Sequence, residues 1–129
     1  MATDIRIVHA RDFIKATPEG RLDFEESKRV IVEVASVASQ LGDFEVLIDC
    51  RKADVQMSAA ELWHRAAELS RLRQSFARRT AVLVPVERFD SEEFFSLCSH
   101  NRGLRVEAFV SYEDAIDWLS DSGTGGSGE

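Results

Sequence analysis

Residues 81–86 (AVLVPV) are apolar at every position, and this run constrains the fold more than any other feature of the sequence. A strand with one face in water alternates apolar and polar residues, whereas an uninterrupted apolar strand is covered on both faces, as in parallel sheets. Residues 44–50 (FEVLIDC) predict another strand, whose shared face carries Phe44, Val46, Ile48 and Cys50. Residues 104–110 alternate apolar with charged residues and predict a half-exposed edge strand.

Between these strands lie segments whose apolar residues recur at helical spacing. Residues 22–41 predict a long helix that stops at Gly42, with Val32 outside its apolar face. Residues 58–76 predict a second helix, and two shorter helices follow, the first of them ending at Gly103. Each helix begins with a side chain that can cap its backbone N–H groups. The cap pairs are Asp23 with Glu26, Ser58 with Glu61, Asp90 with Glu93, and Ser111 with Asp114.

The amino-terminal part predicts two short strands, residues 5–8 and 13–17, joined as an antiparallel hairpin by a brief polar spacer. The complete order is then β-β-α-β-α-β-α-β-α, which is typical of an α/β fold. We therefore expect a single α/β domain over residues 1–120. Its mixed sheet should have about five strands, antiparallel at the start and otherwise mostly parallel, flanked by about four helices. Residues 121–129 are rich in Gly and Ser and predict a disordered tail.

A family resemblance supports this fold. The strand residues 47–49 (LID), the polar loop after them and the helix that starts at Ser58 resemble STAS domains, the anti-sigma-factor antagonist fold. Residues 87–120 are similar to the end of a bacterial subgroup of small STAS-like, SEC14-related proteins of mostly unknown function. The last helix carries most of that similarity, through Ala115, Trp118 and Leu119.

The resemblance spans about residues 4–120, and it implies a function class rather than a specific role. It implies a regulatory or protein-interaction module without enzymatic activity. The SEC14-related proteins imply an alternative, a carrier of lipids or other small apolar molecules. An interaction module predicts an exposed apolar patch, for which Val32 is a candidate, whereas a carrier predicts an enclosed apolar cavity.

Ser58 is the position where the resemblance implies regulation. Phosphorylatable antagonists carry Asp-Ser-(Ser/Thr)-Gly at the start of this helix, where this chain has Gln56-Met57-Ser58-Ala59-Ala60. The hydroxyl is kept, but the Asp before it and the Gly after it are missing, which puts a phosphorylation switch in doubt. Ser58 is either a phosphorylation or anion site, since a helix N-terminus favours negative charge, or simply a helix cap. The capping box alone explains the residue.

Polar residues follow three of the predicted strands. The carboxyl ends of the strands form the usual ligand site of open α/β sheets, so these residues predict a rim that binds a small polar ligand or a docking peptide. Polar residues also fill loops for structural reasons, and both interpretations stay open. The rim residues are Asp49, Arg51, Lys52 and Asp54, then Glu87, Arg88 and Asp90, and finally Ser111.

Glu61, His64 and Glu68 have a spacing that allows a shared metal on one helix face. Di-iron sites of this type need a second such helix, which the sequence does not provide. Arg65 and Arg71 lie among these residues and favour a solvated ion-pair face, so we predict no metal site.

Catalytic and cofactor motifs do not emerge from the sequence. Cys50 and Cys98 lie in apolar patterns and are interpreted as buried structural thiols. No G-x-S-x-G nucleophile elbow occurs, and no glycine-rich stretch lies between a predicted strand and a predicted helix, where a nucleotide loop would be placed. We therefore predict no catalytic residue and no cofactor.

Charge and hydropathy restrict the partners. The chain has 23 Asp+Glu against 16 Lys+Arg, a net charge of −7, which disfavours nucleic acid. Residues 58–79 are locally basic, with five Arg against two Glu, which indicates either an acidic partner or compensation of a helix dipole. No apolar run has transmembrane length and no signal-peptide core is present, so we expect a cytoplasmic protein. An unidentified protein or small ligand is the expected partner, and a homodimer is left open.

Overall fold

The computed structural model describes residues 3–8, 13–41, 45–72 and 78–120. The strands are β1 (Thr3–Val8), β2 (Phe13–Pro18), β3 (Gly20–Asp23), β4 (Glu45–Asp49), β5 (Ala53–Gln56), β6 (Thr80–Leu83) and β7 (Val106–Phe109). The α-helices are α1 (Phe24–Leu41), α2 (Ala59–Arg71), α3 (Phe89–His100) and α4 (Tyr112–Ser120). Five strands form the main sheet in the order β1-β2-β4-β6-β7, and β3 pairs with β5 in a separate two-stranded sheet.

The main sheet is mostly parallel. β1 pairs with β2 antiparallel, and the pairs β2–β4, β4–β6 and β6–β7 are parallel. The strand order follows the order of the chain, so each later strand is added at the same edge. The first three residues of the apolar run, 81–83, lie in β6. This strand lies between β4 and β7, and all four of its residues are buried. The predicted α/β class, with a mostly parallel sheet and four helices, is confirmed.

The two faces of the sheet are covered by different helices. Right-handed crossovers that all advance in one direction place their helices on the same face. Accordingly, the larger core combines α1, α2 and α3 with one face of the sheet, and the smaller core combines α4 with the other. Neighbours in β4 show the alternation of the pleat, because Val46 belongs to the larger core and Leu47 to the smaller one.

Side-chain caps and a glycine fix several helix ends. The Oδ1 atom of Asp23 accepts the backbone N–H of Glu26 at 3.0 Å and caps α1. After α3, Gly103 has a φ of 85°, a conformation that favours glycine. This turn lets the N–H of Leu104 donate to the carbonyl of Ser99 at 3.0 Å, which closes the helix in a Schellman motif.

The strand predictions need two corrections. The loop predicted from Arg51 to Met57 contains β5, which pairs in parallel with β3 after the Pro18 break. Both strands have four residues with one buried apolar side chain each, Leu22 and Val55, which is too little for a visible alternation. The apolar run 81–86 does not form strand throughout, because β6 ends at Leu83 and a 3₁₀ turn occupies Val86–Arg88.

The cap predicted at Asp90 is wrong. The 3₁₀ turn runs directly into α3, which begins at Phe89 with Arg88 at its N-cap and no side-chain capping bond. α2 ends at Arg71 with Leu72 as its C-cap, and the predicted continuation of this helix to residue 76 lies outside the described residues. Gly42, Phe44 and the segments 73–77 and 121–129 lie outside the described residues, so their predictions stay predictions. Within the described ranges, no helix combines the length and the apolar character needed to cross a membrane.

Candidate functional site

Asp49 and Arg51 form the best-ordered part of the predicted rim. Asp49 ends β4 and is 5% exposed. Its Oδ1 accepts the backbone N–H of Arg51 at 3.1 Å and the Nε–H at 3.0 Å, and its Oδ2 accepts the guanidinium at 2.9 Å. Burial raises the pKa of the Asp49 carboxyl, but these bonds and the charges of Arg51 and Lys15 outweigh it, so the pKa lies below its ordinary value. The hydrogen bond to Asp49 raises the pKa of Arg51, so each side chain keeps the other charged.

An aromatic ring lies beside this ion pair. Tyr112, the first residue of α4, has its ring centre 5.3 Å from Nζ of Lys15 and 5.8 Å from the guanidinium carbon of Arg51. These distances are within the range of cation–π attraction. Neither Lys15 nor Tyr112 is among the site residues predicted from the sequence. One feature of the sequence could have indicated Lys15. It is the third residue of β2, two positions after the buried Phe13, so both side chains lie on the same face of the sheet.

A second, more exposed ion pair joins β5 to the turn before α3. Arg88 contacts Oδ1 of Asp54 at 3.4 Å, and Gln56 donates to Oδ2 of Asp54 at 2.9 Å. The side chains of Asp54 and Arg88 are 63% and 37% exposed, so solvent screens their attraction. This contact brings together rim residues from two different strand ends.

The other rim residues do not converge on these pairs. The hydroxyl of Ser111 accepts the backbone N–H of Asp114 at 3.3 Å and caps α4. Lys52, Glu87 and Asp90 are exposed, and none of their side chains forms a hydrogen bond or ion pair within the described part of the chain. The rim is therefore a polar surface with two local ion pairs, and it remains a predicted docking surface.

Ser58 forms the predicted capping box. Its Oγ accepts the backbone N–H of Glu61 at 3.2 Å, and its own N–H donates to Oε1 of Glu61 at 3.0 Å. The residue is exposed at the start of α2, two positions after the end of β5. The structural role as a cap is present, and the additional role as a phosphorylation or anion site stays a prediction.

Arg65 corrects the interpretation of the α2 surface. The charge pattern of the sequence predicted a solvated face for this residue, but its side chain is only 2% exposed. Its Nε donates to Oγ of Ser27 at 2.8 Å, one terminal nitrogen donates to the carbonyl of Phe24 at 2.7 Å, and the other pairs with Glu68. The guanidinium carbon lies 4.1 Å from the centre of the Phe24 ring. Arg65 therefore binds the first turn of α1 to the middle of α2.

A cleft opens between α1 and α2 beside this contact. Its volume is about 220 Å³, and an inner cavity of about 60 Å³ shares Ile31 and Arg65 with it. The inner cavity is lined mostly by apolar side chains of the larger core. The outer cleft is lined by Lys28, Ile31, Val32, Arg65, Glu68, Arg71 and Leu72.

The structure assigns most of the remaining candidates to structural contacts. Glu61 bonds to Ser58 and Glu68 to Arg65, and no three metal-ligating side chains come together within the described residues. The prediction that both cysteines are buried is confirmed, with Cys50 at 4% and Cys98 at 8% exposure.

The basic segment after α2 is also engaged in packing. Arg78 pairs with Glu45 at 3.1 Å. Arg79 lies 5.0 Å from the centre of the Trp118 ring and donates to the carbonyl of that residue. These contacts give the positive charge at both positions a packing role, which differs from the predicted compensation of a helix dipole.

Comparison with known proteins shows the fold. No family model matches the sequence, and no curated protein matches it at a significant level.

Among solved structures, an uncharacterized DUF3478-family protein with a SpoIIAA-like fold from Shewanella loihica PV-4 has 19% identity and a TM-score of 0.60, with 92% of each chain covered. The unphosphorylated anti-sigma factor antagonist SpoIIAA has 16% identity and a TM-score of 0.54, covering 92% of this chain and 97% of its own. SpoIIAA of Bacillus in its phosphorylated form, described as a cell fate determinant, has 18% identity and a TM-score of 0.55, covering 92% and 99%. The chain has a STAS-like fold of the SpoIIAA type, as the resemblance implied.

Proposed function

We propose that this chain is a non-enzymatic regulatory module that acts by binding another protein at its strand-end rim. The observation that carries the proposal is the fold shared with an anti-sigma factor antagonist over 92% of the chain. We further propose that the protein acts in a bacterial cytoplasm. We also propose that its partner is not a nucleic acid, because a net charge of −7 disfavours binding to phosphates.

The chemistry of the rim supports binding over catalysis. A general base works best when its pKa lies near the operating pH. The Asp49 carboxyl has its pKa moved in the opposite direction, below its ordinary value, and its oxygens are occupied by Arg51. The exposed Lys52, Glu87 and Asp90 offer charges that a partner can pair with, without breaking contacts inside the fold.

The test is affinity purification of the tagged chain from its native cells, followed by identification of the bound protein. The variant Lys52→Glu reverses one charge on the rim. The matched control, Arg105→Glu, reverses one exposed charge just before β7, at the opposite end of the parallel strands. We expect one protein to be retained by the wild type and the control and lost from Lys52→Glu. Retention by all three, or capture of nothing, would contradict docking at the rim.

We propose, as a finer point, that Ser58 is also a site of phosphorylation. The hydroxyl is exposed, and a helix N-terminus stabilises added negative charge. Intact mass of protein purified from native cells should show a phosphorylated fraction, absent from Ser58→Ala. A single unmodified mass in every growth condition would remove this point and leave the docking proposal standing.

A second candidate function is a carrier of a small amphipathic molecule, and the cleft between α1 and α2 favours it. Lys28 and Arg71 are exposed at its outer part, so an acidic head group could lie there with an apolar tail against Ile31. The inner cavity of about 60 Å³ is far below the ~300 Å³ of ordinary ligand sites, so a carrier must open between α1 and α2. Native mass spectrometry should then show a retained small molecule that Ile31→Trp excludes. A bare protein mass would reject this candidate.

A further inference from the structure

Helix α3 keeps two large apolar side chains in solvent. Phe94 is 38% and Leu97 is 58% exposed, whereas Phe95 and Cys98 on the same helix are buried in the larger core. Residues three apart on a helix are neighbours, so Phe94 and Leu97 form one apolar strip on the outer side of α3. No contact within the described residues requires these two side chains to be exposed. Their burial against a partner would be favourable, because it removes apolar surface from water.

Acidic side chains border this strip. Asp90 lies four residues before Phe94, and Glu93 lies four residues before Leu97, so each carboxylate is next to an apolar member on the helix surface. Neither carboxylate has an ion pair among the described residues.

The arginines that flank α3 in the chain already have contacts. Arg88 is paired with Asp54 at 3.4 Å, and the guanidinium carbon of Arg102 lies 4.8 Å from the centre of the Trp63 ring. The strip is therefore bordered by uncompensated negative charge.

We propose that this surface, defined by Asp90, Glu93, Phe94 and Leu97 and called the α3 strip, binds an amphipathic helix of the partner protein. The inference rests on the proposed function and names the chemistry of the partner segment. Apolar residues spaced three or four apart would cover Phe94 and Leu97, and Lys or Arg beside them would pair with the two carboxylates. Two copies would juxtapose like charges, because each strip carries the carboxylates of Asp90 and Glu93. Charge complementarity therefore favours a basic partner segment over a second copy of this chain.

The experiment uses a photoreactive amino acid introduced at single exposed positions of the full chain in its native cells. Position Ser91 is three residues before Phe94 on α3, Lys52 reports on the rim, and Ser36 on α1 is the remote control. Cross-linked peptides are identified by mass spectrometry, and the segment captured from Ser91 is synthesised. Its affinity for the wild type and for variants is then measured by fluorescence anisotropy.

Support requires that Ser91 captures a segment with net positive charge and apolar residues at helical spacing. Leu97→Ser and Glu93→Lys should each weaken its binding about tenfold. The matched control Glu33→Lys, on the exposed surface of α1, should leave the affinity unchanged.

Each other outcome overturns the inference. Capture of an acidic segment, of a second copy of this chain or of a lipid would show a different occupant. Capture only from Lys52 would leave the proposed function intact and remove the α3 strip from it. If no position captures a protein, both the inference and the proposed function fall.

Discussion

Asp49 shows how one carboxylate stabilises the rim. Its pKa is lower in the folded protein than its ordinary value, so the charged form is favoured by folding. The stabilisation is then fully present above the unfolded pKa of about 3.9 and is lost as the pH falls through the lower folded value. We expect Asp49→Asn to lower the free energy of unfolding by about 1 kcal/mol at pH 7, because Arg51 is partly solvated. Urea denaturation at several pH values should show this difference shrinking below about pH 5.

The control for this prediction is Asp54→Asn. Asp54 is an exposed carboxylate on the adjacent β5, and its ion pair with Arg88 is screened. Its substitution should change the free energy of unfolding by less than about 0.5 kcal/mol. An equal effect of the two substitutions would show that Asp49 has no special role.

Ser58 gives a second prediction at this scale. Ser58→Ala removes the oxygen that accepts the N–H of Glu61, so the free energy of unfolding should fall by about 1 kcal/mol. Ser58→Asp keeps an N-cap acceptor and should be close to the wild type in the same denaturation experiment. Equal losses in the two variants would mean that the cap does not act through its side-chain oxygen.

At the scale of elements, Arg65 holds α1 against α2. Arg65→Ala leaves the hydroxyl of Ser27 and the carbonyl of Phe24 without their donor and opens a space under the cleft. We expect the free energy of unfolding to fall by about 2–4 kcal/mol, measured by chemical denaturation. Arg71→Ala, an exposed arginine on the same helix, should cost less than about 0.5 kcal/mol. Similar losses in both would refute the assigned role.

The helices were predictable from periodicity, and the burial of Arg65 had a signal in the same pattern. Residue 65 lies three positions after Leu62 and four before Leu69, which are both buried, so the period itself places it on the core face. The charge of Arg65 nevertheless favoured a prediction of exposure, because arginine is rarely fully buried without partners. Those partners come from α1, 38 and 41 residues away in the chain, and sequence spacing cannot reveal them.

The rim was predictable only in part for a related reason. Parallel topology predicts that residues after β4, β6 and β7 share one edge of the sheet. Which of them touch depends on loop geometry that no periodicity describes, as with the contact between Asp54 and Arg88. The short β3–β5 pair was missed because its backbone hydrogen bonds, rather than an apolar pattern, define it.

At the scale of the whole molecule, the reactivity of the two buried thiols tests whether the larger core unfolds as one cooperative unit. Cys50 and Cys98 both belong to the larger core. If that core opens only by global unfolding, a thiol reagent should modify both cysteines of the native protein at the same rate. This rate should be lower than the rate for the protein unfolded in urea by a factor on the order of 10³ or more. Mass spectrometry of partly labelled protein tests this. Rapid modification of one cysteine alone would reveal a separately opening region.

The strand order bears on how the chain folds as it is synthesised. Because the main sheet runs β1-β2-β4-β6-β7, each of its strands after β1 finds its pairing partner already made when it leaves the ribosome. The separate strand β3 has to wait for β5. A nascent chain never has to insert a late strand between two early ones, so partial chains can hold native pairing from their first hairpin onward. The edge completed last, β7, receives its helix α4 only when almost all of the described chain has been translated. Until then Phe13, Leu47 and Leu83 on that face have no cover from α4, and this interval is when the nascent protein is most exposed to aggregation or to chaperone binding.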